Sequence, residues 1–204
     1  MKKKGTGNRL QVTGRHNVAP LKNSKYIAVF CSAENLPEKY TRPAKEFAKL
    51  MVRNGYGLVW GGSDAGLMSI VAREVKEQGG RIIGVSVKYL KEIALEHAHE
   101  MIIAKNLGER KAIILAHCHA VVALVGGTGT LDEISEAIEL KKHGVHHKPI
   151  LLINTDHFYQ GFKTQLQTMH AHGLLQEPVE ELIHFVDTPR EAMEFLNRAL
   201  LYPL

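Results

Sequence analysis

The chain has 204 residues, 45% hydrophobic, 23% charged and 6% aromatic, a globular balance long enough for one buried core. No apolar run reaches the ~20 residues of a membrane helix, no apolar stretch follows Met1-Lys2-Lys3-Lys4-Gly5 to make a signal peptide, and Cys31 and Cys118 are too few for a disulfide framework. The net charge of +5 is uneven: residues 1–25 hold seven basic and no acidic residues, so the remainder carries −2. These features predict a cytoplasmic protein with a basic, flexible leader over residues 1–24 and a single near-neutral domain over 25–204. The leader has no aromatic residues for base stacking, so a solvated tail is favoured over nucleic-acid or lipid binding.

Short apolar runs then alternate with helix-period stretches. Strands are predicted at 26–31, 57–60, 81–87, 100–104, 120–125, 149–153 and 182–186. Helices are predicted at about 37–54, 64–78, 107–117, 134–143 and 158–171, with a short His- and Glu-rich helix between the third and fourth strands. A last helix opens with Thr188 as cap, Pro189 at its first position and Glu191 closing a capping box. Strands apolar on both faces and alternating with helices mean a mainly parallel sheet with helices on both faces, a doubly wound, Rossmann-like α/β fold. In such sheets ligands bind beyond the carboxyl ends of the strands. That rule selects Cys31–Glu34, Gly61–Gly66, Lys105–Lys111 and Gly126–Glu133.

Val125-Gly126-Gly127-Thr128-Gly129-Thr130-Leu131-Asp132-Glu133 carries the strongest signal. Glycines between a strand and a helix let the backbone approach a ligand, and the helix N-terminus favours an anion. No Lys follows Thr130, so the segment is not a P-loop, nor is it the dinucleotide GxGxxG. A mononucleotide or sugar phosphate fits better. Glu133 has two readings, because Thr130-x-x-Glu133 also matches a capping box in which Glu133 only closes the helix start.

Trp60-Gly61-Gly62-Ser63-Asp64-Ala65-Gly66 repeats the strand, glycine turn and helix, with Ser63 or Asp64 as cap. Arg110 opposes the dipole at the start of its predicted helix, which suggests recruitment by a ligand anion or a carboxylate; an exposed surface Arg is the alternative. The groups His97-x-His99, His117-Cys118-His119 and His143-x-x-His146-His147 lack the spacing of a zinc site, so no metal is expected. Cys118 reads as a small buried residue.

Together these segments resemble the LOG family, often filed as lysine decarboxylase-like, whose marks are P-G-G-x-G-T-x-x-E and an upstream M-x-x-R-K. Gly126-Gly127-Thr128-Gly129-Thr130-Leu131-Asp132-Glu133 matches the first and Arg110-Lys111 the second, with Gly61-Gly62 and Phe30-Cys31-Ser32 in support. The resemblance covers about residues 26–200. It implies a phosphoribohydrolase that cleaves the N-glycosidic bond of a purine or cytokinin nucleoside 5′-monophosphate, giving free base and ribose 5-phosphate. On that resemblance Arg110 and Glu133 are the catalytic pair. Gly126, Gly127, Thr128, Gly129, Thr130, Gly61, Gly62, Ser32 and Lys111 are the phosphate and nucleotide contacts. It further implies no cofactor and a homodimer or larger assembly.

Val125 replaces the motif's Pro, Leu107-Gly108 its Met-His, Ser63 a third glycine, and Ser32-Ala33-Glu34 a Gly-Ser-Ser turn. These departures bear on substrate identity more than on reaction type. The alternative function is a non-catalytic nucleotide or cofactor carrier of the same fold, for which an Arg–Glu pair is not required. A true lysine decarboxylase would need a lysine placed to hold pyridoxal phosphate near the glycine turn, and the sequence offers none there.

Overall fold

Four-residue segments such as Gly57–Trp60 and Ile150–Ile153 have no polar face to show to water, so they become interior strands. The computed structural model describes residues 25–88 and 98–201. The basic leader, and His97 with most of the His- and Glu-rich helix expected after the third strand, lie outside the described residues. The described chain runs β1 (Tyr26–Phe30), α1 (Glu38–Arg53), β2 (Gly57–Trp60), α2 (Gly66–Glu77), β3 (Ile82–Val87), β4 (Glu100–Ala104), α3 (Leu107–His117), β5 (Ala120–Ala123), α4 (Thr128–Lys142), β6 (Ile150–Ile153), α5 (Gln160–Ala171), α6 (Val179–Leu182), β7 (His184–Val186) and α7 (Pro189–Leu201).

The seven strands form one sheet in the order β4-β3-β2-β1-β5-β6-β7, and every pairing is parallel. Alternate residues of each strand feed two cores. Ile27, Val29, Leu58, Trp60, Leu151 and Ile153 pack with α1, α2 and α7 on one face. Ala28, Phe30, Val59, Ile150 and Leu152 pack with α3 to α6 on the other. The winding direction reverses between β1 and β5, which opens a crevice above their carboxyl ends, where such folds bind ligands. The doubly wound α/β architecture expected from the sequence is the one observed. No described helix is long and apolar enough to cross a membrane.

Three boundaries differ from the sequence reading. β5 ends at Ala123, so Leu124 and Val125 belong to the turn. α4 starts at Thr128 rather than near Ile134, with Gly127 at its N-cap. α2 starts at Gly66 with Ala65 at the cap, because Asp64 is instead bound by Arg73 through its guanidinium and by the Ser69 hydroxyl. A further short helix, α6, was not expected. The capping box of α7 is present: Glu191 N–H donates to Thr188 Oγ1 at 3.2 Å, and Thr188 N–H donates to Glu191 Oε2 at 3.1 Å.

Candidate active site

The turns after β1 and β5 are tied by their backbones. Leu124 N–H donates to the Phe30 carbonyl at 2.9 Å, and Ser32 N–H donates to the Val125 carbonyl at 3.0 Å. From that junction Gly126 and Gly127 lead into α4. A β-carbon at Gly126 would meet the Thr130 side chain, its Cβ at 2.7 Å, so glycine is needed for the turn to close on the helix. At Gly127 and Gly129 a β-carbon would meet nothing within 4 Å. Neither has a left-handed backbone. Their lack of side chains thus opens the helix end to the crevice rather than relieving the chain itself.

The first-turn N–H groups of a helix have no intrahelical acceptor. At α4 no side chain among the described residues caps them, which leaves an electropositive end facing the crevice. At α2 the matching groups are already used: Leu67 N–H donates to the Glu34 carbonyl at 3.2 Å and Met68 N–H to the Ser32 carbonyl at 3.1 Å. Gly66, at φ 51°, lets the turn after β1 come this close, since a β-carbon there would collide with the Ala33 carbonyl.

Arg110 reaches the crevice from the first turn of α3, which Asn106 caps by accepting from Glu109 N–H at 2.9 Å. Its Nε donates to the Val85 carbonyl at 3.0 Å, and its Nη1 donates to Glu133 Oε1 at 2.8 Å. Both side chains are only 11% exposed. Glu133 lies well inside α4 and turns toward Arg110, so the capping-box reading of Thr130 and Glu133 is corrected: Thr130 is a buried helical residue and Gly127 is the cap. Burial raises the Glu133 carboxyl above its ordinary range, and the charge and hydrogen bond of Arg110 pull it back. Of the two readings of Arg110, recruitment by a carboxylate is the one observed.

Gly61 lies against Arg110, where a β-carbon would collide with Nη2 and stand 2.6 Å from Met68 Cε. Gly62 has φ 76° and faces Ser86 and Met101. Lys111 is turned to α4, where Asp132 Oδ2 lies 2.8 Å from its Nζ and Glu136 completes the clamp. Ser32 accepts from Glu34 N–H through its hydroxyl at 3.0 Å. The structure thus gathers Gly126, Gly127, Thr128, Gly129, Thr130, Arg110, Glu133 and Gly61 about one crevice, whereas Lys111 braces α3 against α4.

Several of the histidines serve the backbone, whereas His143 Nε2 lies 2.9 Å from Glu139 Oε1. His117 Nδ1 lies 2.8 Å from the Ile113 carbonyl, and His119 Nδ1 accepts from Tyr26 N–H at 3.1 Å. His146 Nε2 lies 3.0 Å from the Ala137 carbonyl. Among the described residues no group of three or more His, Cys, Asp or Glu is placed to hold a metal ion. Cys118 is buried, its thiol pushed up to about 11 by desolvation. Two buried side chains flank the crevice: Cys31, in a segment the sequence selects, and Tyr159, which the sequence reading missed. Burial and then the Glu133 charge raise the Cys31 thiol. The Tyr159 hydroxyl donates to the Leu124 carbonyl at 2.6 Å. Asn154, just past the end of β6 on the same rim, was the available signal for this second support.

The family model described as "Possible lysine decarboxylase" matches residues 68–196. The cytokinin riboside 5′-monophosphate phosphoribohydrolase LOG of Oryza sativa subsp. japonica is 36% identical over 168 residues, 81% of this chain and 69% of the relative. An Arabidopsis thaliana protein of the same printed activity is 34% identical over 181 residues, 87% of this chain and 78% of the relative. Among solved structures, the molybdenum cofactor carrier protein of Chlamydomonas reinhardtii superposes with a TM-score of 0.67 at 24% identity, covering 88% of this chain and 99% of that one. The molybdenum cofactor binding protein of Rippkaea orientalis gives 0.70 at 20% identity, with the same two coverages. Those two likenesses establish the fold, and the plant relatives establish the family: this chain belongs to the LOG family, the proteins also described as possible lysine decarboxylases.

Proposed function

We propose that the protein hydrolyses the N-glycosidic bond of a purine or cytokinin nucleoside 5′-monophosphate, releasing the base and ribose 5-phosphate. One observation carries this reading: a shielded Arg110–Glu133 pair, 2.8 Å apart, beside an uncapped helix N-terminus lined by glycine. The 5′-phosphate belongs on the free N–H groups at Thr128, Gly129 and Thr130, where charge-assisted hydrogen bonds and the helix dipole favour a dianion. Phosphate binding there is remote from the bond that breaks and supplies positioning.

Departure of the base leaves oxocarbenium character on the ribose, and water delivers the new C1 oxygen. The Glu133 carboxylate serves that carbon by stabilising the developing positive charge or by taking the proton of the attacking water. Arg110, held by Val85, fixes the carboxylate and favours its ionised form. A carrier of the same fold needs the phosphate grip but not this pair. A decarboxylase would need a free lysine at the grip, and Lys111 is bound between Asp132 and Glu136.

Chromatography after incubation with AMP and, separately, isopentenyladenosine monophosphate tests the reading. Free base with ribose 5-phosphate supports it, and the ratio of rates assigns the substrate class. Both nucleotides bound with no base released would favour the carrier. The same reading extends to a cytoplasmic homodimer or larger assembly, with residues 25–204 as the catalytic domain. Base release should survive deletion of residues 1–24, and sedimentation of the full chain measures the assembly.

A further inference from the structure

Tyr159 is buried at the entrance to the partly exposed helix α5, and two hydrogen bonds hold it there. Its N–H donates to Asn154 Oδ1 at 2.7 Å, and its hydroxyl donates to the Leu124 carbonyl at 2.6 Å. Asn154 is itself buried, and its N–H donates to the Val186 carbonyl at 2.7 Å. Between Asn154 and Tyr159 the backbone passes through Asp156 and His157 at φ 55° and 57°, a left-handed conformation unfavourable for both. The turn is braced from α1, where Lys39 Nζ pairs with Asp156 Oδ2 at 2.6 Å. The Phe158 ring stands edge-on to Tyr40 at 5.9 Å and to Tyr159 at 5.0 Å.

The bond partner gives the arrangement its meaning. Leu124 is the residue from which Val125, Gly126 and Gly127 depart toward α4. Its N–H is held by β1 through Phe30 and its carbonyl by Tyr159, so the peptide groups on either side of its Cα are both fixed. The phenol also lies near Cys31, Glu133 and the Gly126 backbone. Burial first, then Cys31 and Glu133, keep it protonated far above the ordinary tyrosine range, with the Gly126 hydrogen bond opposing. It therefore remains a donor throughout the working pH range.

We propose that Tyr159 is a positioning residue of the phosphate grip: its hydroxyl sets the peptide at Leu124, and through it the glycine turn and the N-terminal N–H groups of α4. The proposal rests on the phosphoribohydrolase reading. It assigns Tyr159 no contact with the reacting atoms, so its effect falls on affinity for the phosphate more than on the chemical step.

The test uses the full chain and its Tyr159→Phe variant, which keeps the ring and removes the hydroxyl. Steady-state base release from AMP and competitive inhibition by inorganic phosphate are measured for both. In the variant, KM for AMP and Ki for phosphate should rise together by about five- to tenfold, while kcat changes by less than about twofold. Leu166→Val, a core change on α5 away from the turn, should lower Tm without moving either constant. Asn154→Ala, which removes the acceptor for Tyr159 N–H, should raise KM and Ki in the same sense and keeps the test open if Tyr159→Phe fails to fold. Wild-type chain that releases base and is inhibited by phosphate, with both constants unchanged in the two variants, overturns the proposal alone. Wild-type chain that does neither overturns the functional reading and this proposal with it.

Discussion

Gly61 and Arg110 are in direct apposition: the space a β-carbon would occupy at Gly61 is filled by the Arg110 guanidinium. Gly61 is not left-handed, so alanine would satisfy the backbone and still displace the arginine from Glu133. Gly61→Ala should therefore fold and lose about 10²-fold in kcat for base release, in line with the cost of a small misplacement at a reacting centre. Circular dichroism with the base-release assay checks both halves, and unchanged turnover would dissociate Arg110 from the chemistry.

Glu133→Gln keeps the shape of the pair and removes its charge. Base release should fall by about 10²- to 10⁴-fold, the range for loss of a positioned acid–base group. Tm at neutral pH should fall, because the buried Arg110 guanidinium loses its counter-charge. A protein that keeps its rate would remove Glu133 from the mechanism.

Arg110→Ala has a signed pH dependence. Glu133 already has a folded-state pKa above its unfolded one, so the folded chain binds more protons and this group's contribution to stability falls as pH rises through that window. Removing Arg110 takes away the largest opposing influence and extends the window upward. An unpartnered buried carboxylate costs roughly 3–5 kcal/mol, so urea denaturation should show the variant weaker than wild type near pH ~8 and recovering toward about pH 5. A pH-independent deficit would contradict the assignment.

Gly129→Ala sets stability against binding. The position is in the first turn of α4 with open space where the β-carbon would go. Alanine should stabilise the fold by up to about 1 kcal/mol and weaken phosphate inhibition by about tenfold, since the new methyl group stands where the phosphate oxygens approach. Thermal melts and inhibition constants report the two effects separately.

His157→Gly relieves one left-handed residue. The expected gain is about 1 kcal/mol, partly offset by the added freedom of glycine in the unfolded chain. Denaturant titration at fixed m-value measures it, and a loss of stability would show that the His157 side chain contributes more than its backbone costs.

The sheet was legible because interior parallel strands leave a plain mark: Ile27-Ala28-Val29-Phe30 and Ile150–Ile153 are apolar throughout. The open start of α4 was legible for the same local reason, as glycines between a strand and a helix imply an open helix end. The residue at which α4 starts was not. Thr130-x-x-Glu133 fits a capping box within its own four residues, whereas the actual start is set by where the turn leaves β5. Lys111 looked like an anion ligand until its separation from Asp132 and Glu136 closed in space. Gly61 looked like part of a second phosphate turn, but its local pattern cannot show that Arg110, forty-nine positions later, fills the space beside it. The pairing of Tyr159 with Leu124 carried no local pattern, since the two lie thirty-five residues apart.

The two glycine turns are unequal in electrical terms. At α2 the carbonyls of Ser32 and Glu34 already accept from the helix end, while at α4 the corresponding donors have no partner among the described residues. The crevice is therefore a one-terminal socket. On the proposed function, a ligand with a single anionic head would lie with that head toward Gly127 and its body toward Gly61. The first-turn amides of α2 are already taken, so on that reading a ligand with one charged end suits the crevice better than one with two.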